Sequence, residues 1–227
     1  MKIEYTKISI KDSADFLNKM GIDIVTHWGR CFVQINKINS LFQFHELSLK
    51  YNKKDSVAAK RNTMTFFLFF AGTMFELRNA LKPLEKFNIR DRISNTKLWD
   101  DTLADVDQIC TNETLMAIRN RVAFHPPDPK VIRASLVQLS RHNKECNILE
   151  FNTECNGETY LLLGEEQVWS GLKKDKNYQQ PVTEDDFAEL CEKIISVEQW
   201  LKLSDNIQEI FIDACEKAGV QFTEIHQ

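Results

Sequence analysis

WGRCFVQINKINSLF, residues 28–42, is the stretch whose periodicity decides the fold class. Trp28, Phe32 and Ile35, with Cys31, Ile38 and Phe42 beside them, recur at steps of three and four, which a 3.6-residue helix gathers on one face. The pattern predicts an amphipathic helix over about 22 to 51, ended by YNKKDS. A second stripe, Phe67, Phe70, Met74, Leu77, Leu81 and Leu84, predicts another, with Ser56 placed to cap its start and Pro83 to bend or close it. Leu98, Leu103, Val106 and Ile109 supply the apolar side of a shorter helix over about 95 to 109.

Further along, Thr111 or Asn112 caps a helix from about 113 to 124, and three nearby prolines, Pro126, Pro127 and Pro129, stop it. Residues 131 to 139 fit a short helix or a strand equally well. Two β-prone runs flank Asn156-Gly157, a strong turn dipeptide, so residues 147 to 169 read as a β-hairpin, and GLKKDKNYQQP follows as an exposed loop. A last long helix opens at Thr183, its inner stripe being Phe187, Leu190, Ile194, Val197 and Leu201. Leu203, Ile207, Ile210 and Ala214 continue the pattern, with a break expected at Ser204. No internal repeat or interdomain linker interrupts this succession. The expected architecture is mainly α: an up-and-down helical bundle of four to five main helices with a small β-hairpin at about 147–169, forming one domain over 1–227.

Composition narrows the class of function. A hydrophobic fraction of 43% and a charged fraction of 27% belong to a globular chain with a sizeable core. The N-terminal MKIEYTKISIKDS has no apolar run of the signal-peptide kind. The most apolar stretch, MTFFLFFAGTMF at 64–75, is broken by Thr65, Gly72 and Thr73 and falls short of the roughly 20 residues a membrane span needs. No membrane association and a cytoplasmic location are therefore expected. Six cysteines, at 31, 110, 146, 155, 191 and 215, contain no Cys-x-x-Cys pair and read as reduced, mostly buried thiols. His142, Cys146 and Cys155 are too scattered for a metal set, and neither metal nor cofactor is expected.

A net charge of −4 excludes a uniformly basic nucleic-acid-coating protein, but the charge is uneven. Between 119 and 144, Arg119, Arg121, Lys130, Arg133, Arg141 and Lys144 stand against Asp128 alone. This +5 window leaves −9 for the remainder and would focus an anion. Its centre is IRNRVAFHPPDPK, residues 118–130. Leu115, Ile118 and Val122 form the buried stripe of that helix. Arg119 lies about 40° from Leu115, flanking the seam. Pro126 disfavours an α conformation at His125, so the imidazole sits where the helix unwinds. A neutral histidine can take the proton of a ribose 2′-hydroxyl, its unperturbed pKa being about 6.5. A guanidinium can hold two phosphate oxygens at once and stabilise charge that builds in the transition state.

RNRVAFH at 119–125 resembles the Arg-x(4–6)-His motif of the HEPN superfamily, in which a polar residue, often asparagine, follows the arginine. Arg119, Asn120 and His125 match those positions. The resemblance covers residues 112 to 130 closely and the rest through its helical character. It implies a helical-bundle domain that often pairs two protomers so that their motifs meet in a cleft. It also implies a metal-independent endoribonuclease acting on RNA, in many members as part of defence or toxin–antitoxin systems with an antitoxin or other regulatory protein. Other members are noncatalytic modules binding RNA, a nucleotide or a protein. The variant with tyrosine two residues beyond the histidine is absent here, since Pro127 stands there.

Arg119, Asn120 and His125 are thus the catalytic candidates, and Arg121, Lys130 and Arg133 the substrate-binding ones. Glu76 and Asn79, in FELRNALK on one helical face, are candidates to orient the motif from a neighbouring helix. Each has a structural alternative. Arginines near a helix C-terminus interact favourably with its dipole whatever the function, and His125 can simply cap carbonyls. Glu76 and Asn79 can serve as a surface pair. The run Phe66, Phe67, Phe69 and Phe70 has the helical spacing of core or interface rather than of a base-stacking platform. His27, His45 and His226 have no neighbours that single them out.

Overall fold

The computed structural model describes residues 6–51, 57–119, 150–151, 159–160 and 194–226. Its elements in chain order are β1 (Thr6–Ile10), α1 (Ser13–Met20), α2 (Ile22–Tyr51), α3 (Val57–Lys86), a 3-10 turn (Ile89–Arg92), α4 (Thr96–Thr111), α5 (Glu113–Ile118), β2 (Glu150–Phe151), β3 (Thr159–Tyr160), α6 (Val197–Lys217) and β4 (Phe222–His226). The chain is mainly helical, a helical bundle carrying a small antiparallel hairpin. The Ser56 cap, the segment at 131–139, the Asn156-Gly157 turn, the loop at 171–181 and the helix start at Thr183 lie outside the described residues. Two compact units are formed: Met1–Gln43 with Thr73–Cys110 and Ile195–Gln227, and Phe44–Gly72 with Thr111–Ile194.

In the first unit, α1 starts where the Asp12 carboxylate accepts hydrogen bonds from the N–H groups of Ala14 (2.8 Å) and Asp15 (3.1 Å). It ends at Gly21, whose φ of 86° suits glycine. Helix α2 spans the predicted range and buries Ile24, Trp28, Cys31, Ile35 and Ile38. Phe211 of α6 presents its ring to Phe16, Trp28 and Phe32, with centroids 6.3, 5.4 and 4.9 Å away. Trp200 of α6 stacks on Phe42 and donates its indole N–H to Asn39 Oδ1 at 2.7 Å, so a large apolar side chain enters the core with its polar atom satisfied.

Helix α3 buries Phe67, Phe70, Met74, Leu77, Leu81 and Leu84 as the stripe predicts. It does not close at Pro83; it continues to Lys86. The proline lacks the N–H that would pair with the carbonyl of Asn79, and Asn79 is exposed, where water can replace that bond. A turn over Phe87 and Asn88 follows the last helical residue, Lys86. There, i→i+3 bonds from the Phe87 and Asn88 N–H groups (both 3.1 Å) tighten the last turn, and Asn88 takes a left-handed φ of 52°.

Helix α4 forms as predicted, capped by Asn95, whose Oδ1 accepts the Leu98 N–H at 3.0 Å. Its core face is rotated from the expected one. Trp99, Thr102, Val106 and Cys110 are buried, whereas Leu98, Leu103 and Ile109 are only half-buried. Both sets have helical spacing, and burial of the large indole favours the first.

The C-terminal pattern also needs correction. Helix α6 does not break at Ser204, which is buried within it. It begins after Ser196, where Ser196 Oγ accepts the Gln199 N–H (3.1 Å) and Gln199 Oε1 accepts the Ser196 N–H (2.8 Å). Val197 and Leu201, 54% and 53% exposed, are therefore outward rather than on the inner stripe. The far end of α6 grips the turn before α4. Asp213 Oδ2 accepts the N–H groups of Ser94 (2.6 Å) and Asn95 (3.2 Å), and Lys217 Nζ donates to the Ile93 carbonyl (2.9 Å). Burial works to raise the Asp213 pKa, but hydrogen bonds from the Ser94 N–H, the Ser94 hydroxyl and the Asn95 N–H, with Lys217 nearby, hold it below 3.8.

Strands β1 and β4 form a two-stranded antiparallel sheet in register from Thr6 opposite His226 to Ile10 opposite Phe222, a pairing not foreseen from the sequence. Lys19 fastens α1 beside it, bonding Asp15 (2.7 Å) and the Gly219 carbonyl (2.8 Å).

The second unit contains the end of α2, the start of α3, α5 and the hairpin, in which Glu150 pairs with Tyr160 and Phe151 with Thr159. Its described core is aromatic. Phe66 and Phe70 stack 5.6 Å apart, Phe67 meets both edge-on, and His45 stacks on Phe66 at 4.8 Å. Asn62 Nδ2 donates to the buried Ser48 Oγ at 2.7 Å, tying α2 to α3. Burial of Phe66, Phe67 and Phe70 makes the run a core element; Phe69 alone among the four is exposed, at 62%.

Candidate functional site

The motif helix starts at a defined cap. Asn112 Oδ1 accepts the Leu115 N–H at 3.2 Å, and the Asn112 carbonyl accepts the Met116 N–H at 2.9 Å, opening α5. Asn112, one of the two residues expected to cap, bonds the helix N–H. Glu113 stands in the first turn, where a carboxylate favours the helix dipole.

Leu115 is fully buried and sets which side of α5 faces the core. Arg119 follows the helix one turn later and is half-buried. Asn120, Arg121, His125, Lys130 and Arg133 lie outside the described residues.

Glu76 and Asn79 belong to the part of α3 in the first unit, and both are exposed. The charges of FELRNALK that make described ion pairs are different ones. Arg78 Nε donates to Asp107 Oδ1, and Lys82 Nζ lies 3.5 Å from the same oxygen, so the α3 pair at i and i+4 grips a carboxylate of α4. Arg90 pairs with Asp100 at 2.7 Å. The spacing of Arg78 and Lys82 was visible in the sequence, but the carboxylate they share comes from a separate helix, which no local pattern announces.

Several other histidines and cysteines among the described residues are packed against neighbouring side chains or buried. His27 packs its ring on Phe87 and His45 on Phe66. Burial pushes the Cys31 thiol up to about 12 despite nearby Arg30, and burial, aided by Glu216, does the same to Cys215. Such thiols stay protonated and are poor nucleophiles at neutral pH. Cys110 is buried and its Sγ lies 3.6 Å from the Met74 carbonyl. Among the described residues no three His, Cys, Asp or Glu side chains are grouped to hold a metal ion, and no helix is long and apolar enough to cross a membrane. His142, Cys146 and Cys155 lie outside the described residues.

No family model, no curated protein and no solved structure matches this chain.

Proposed function

We propose that the chain is a metal-independent endoribonuclease of HEPN type, acting as a homodimer, with a role in defence or a toxin–antitoxin pair. The observation that carries this reading is the order Arg119-Asn120-x4-His125 in a window of net charge +5. The half-burial of Arg119, one turn past the core residue Leu115 on a capped helix, supports it. In the proposed reaction His125 accepts the proton of a ribose 2′-hydroxyl as that oxygen attacks the adjacent phosphorus. Arg119 neutralises charge on the non-bridging oxygens, and the bond to the 5′-oxygen breaks as that oxygen gains a proton. The products are a 2′,3′-cyclic phosphate and a 5′-hydroxyl. Asn120 positions the motif, and Arg121, Lys130 and Arg133 hold flanking phosphates.

Purified protein should cut RNA in the presence of EDTA and leave cyclic phosphate ends. Arg119→Ala and His125→Ala should each lower the rate by about 10²-fold or more. Wild-type rates in both variants would remove these assignments. Salt-sensitive binding that survives His125→Ala but not Arg119→Ala, with no cleavage by the wild type, would identify a noncatalytic RNA-binding module instead.

A further inference from the structure

We propose that the outward face at the start of α2 pairs with the same face of a second copy of this chain, antiparallel, about a two-fold axis between Thr26 and His27. Ile22, Thr26, Gly29 and Val33 fall within about 60° of one another on this helix, on the side away from Ile24, Trp28, Cys31 and Ile35. All four are exposed, Ile22 by 68% and Val33 by 51%. Glycine is disfavoured inside a helix, yet among the described residues nothing calls for it at position 29. Its φ is not positive, and a Cβ added there would meet no atom within 4 Å. Gly29 therefore leaves an open notch on the outer surface, bordered by Val33.

The face fits itself. About the stated axis, Ile22 of the second copy falls at the height between Gly29 and Val33 of the first, so an exposed branched side chain meets the notch. The two Thr26 residues lie next to each other at the centre.

The charges agree with the same axis. Asp23 and Arg30 are both exposed and lie two turns apart on one flank of the seam. An antiparallel two-fold pair brings residues of the same flank together, so Asp23 of each copy faces Arg30 of the other, twice by symmetry. A parallel pair would set this flank of the two copies on opposite sides of the seam, where Asp23 does not meet Arg30. The seam is short, about 17 Å at 1.5 Å per residue, which makes the association transient and salt-sensitive.

This inference supplies a surface for the pairing proposed above but does not rest on RNA cleavage, so Arg119→Ala protein should associate like the wild type. Sedimentation velocity of the full chain over a concentration series should show a reversible monomer–dimer equilibrium, weakened by added salt. Asp23→Arg and Arg30→Asp should each weaken it by roughly tenfold or more. The double reversal should restore it to within about threefold, because the opposite charges face each other again. Gly29→Arg should abolish association while the far-ultraviolet circular dichroism and Tm show a folded monomer. A chain that stays monomeric at every concentration, a double reversal that fails to restore pairing, or a Gly29→Arg protein that dimerises like the wild type would each overturn the proposal. Persistent RNA cleavage by a strict monomer would overturn the pairing, here and in the proposed function, while leaving the assignment of cleavage to this chain intact.

Discussion

Replacing Asp213 with alanine removes the acceptor that joins the end of α6 to the turn before α4. Two consecutive N–H groups, of Ser94 and Asn95, lose the same carboxylate oxygen, at 2.6 and 3.2 Å in the native protein. A side-chain oxygen that caps helix-terminal N–H groups contributes about 1 kcal/mol, up to about 2. The carboxylate is only partly buried, so water screens its charge and replaces part of the lost bonding. The expected loss is about 1–2 kcal/mol at pH 7, read in urea unfolding as a lower midpoint with an unchanged slope.

The pH dependence follows from the sign of the shift. The folded pKa lies below 3.8, so the contribution is complete above that value and is lost as pH falls through the folded pKa. The gap between wild type and Asp213→Ala should therefore narrow below about pH 4. Asp213→Asn keeps an acceptor without the charge and should fall between the two at pH 7. A loss within about 0.5 kcal/mol at pH 7, the size of an ordinary surface substitution, would refute the reasoning. So would a gap that stays constant down to pH 3.

Trp200→Phe should cost roughly 1–3 kcal/mol, since it shrinks a buried ring and leaves Asn39 Oδ1 without its donor. In urea melts its effect should be non-additive with Asn39→Ala by about 1 kcal/mol, because the two side chains share one bond. Cys31 and Cys215, with thiol pKa values near 12, should resist iodoacetamide in native protein at pH 8 and react once urea unfolds the chain, as mass spectrometry of the alkylated peptides would show.

The fold was legible in the sequence where one long apolar stripe had no competitor. Helix α2 and the buried face of α3 are of this kind, since residues at steps of three and four can be buried together in only one rotation. In α4 two stripes competed, one led by Leu98 and one by Trp99, and the larger ring took the core. The start of α6 carried a local signal, the Ser196-x-x-Gln199 capping box, but Val197 and Leu201 just inside it match the apolar period while facing outward. Periodicity alone placed them wrongly. The β1–β4 ladder joins Thr6 to His226, and strands that short gain their meaning only from a partner at the other end of the sequence.

The candidate site is read from chemistry rather than from geometry. Residue order makes Arg119 and His125 candidates because only certain side chains handle a proton and a phosphate together. Where Arg119 sits follows from Asn112 and Leu115, a cap and a core residue within two turns of it. The Asp107 carboxylate shared by Arg78 and Lys82 is the opposite case: both cations are adjacent on α3, and their partner depends on how α4 packs.

The most direct test of the central claim is cleavage of one RNA and its 2′-O-methyl counterpart, at equal concentration in EDTA. The account predicts that the unmodified strand is cut and that the 2′-O-methyl strand is bound but left whole, because the attacking hydroxyl is gone. Cutting of the 2′-O-methyl strand at a comparable rate would contradict it.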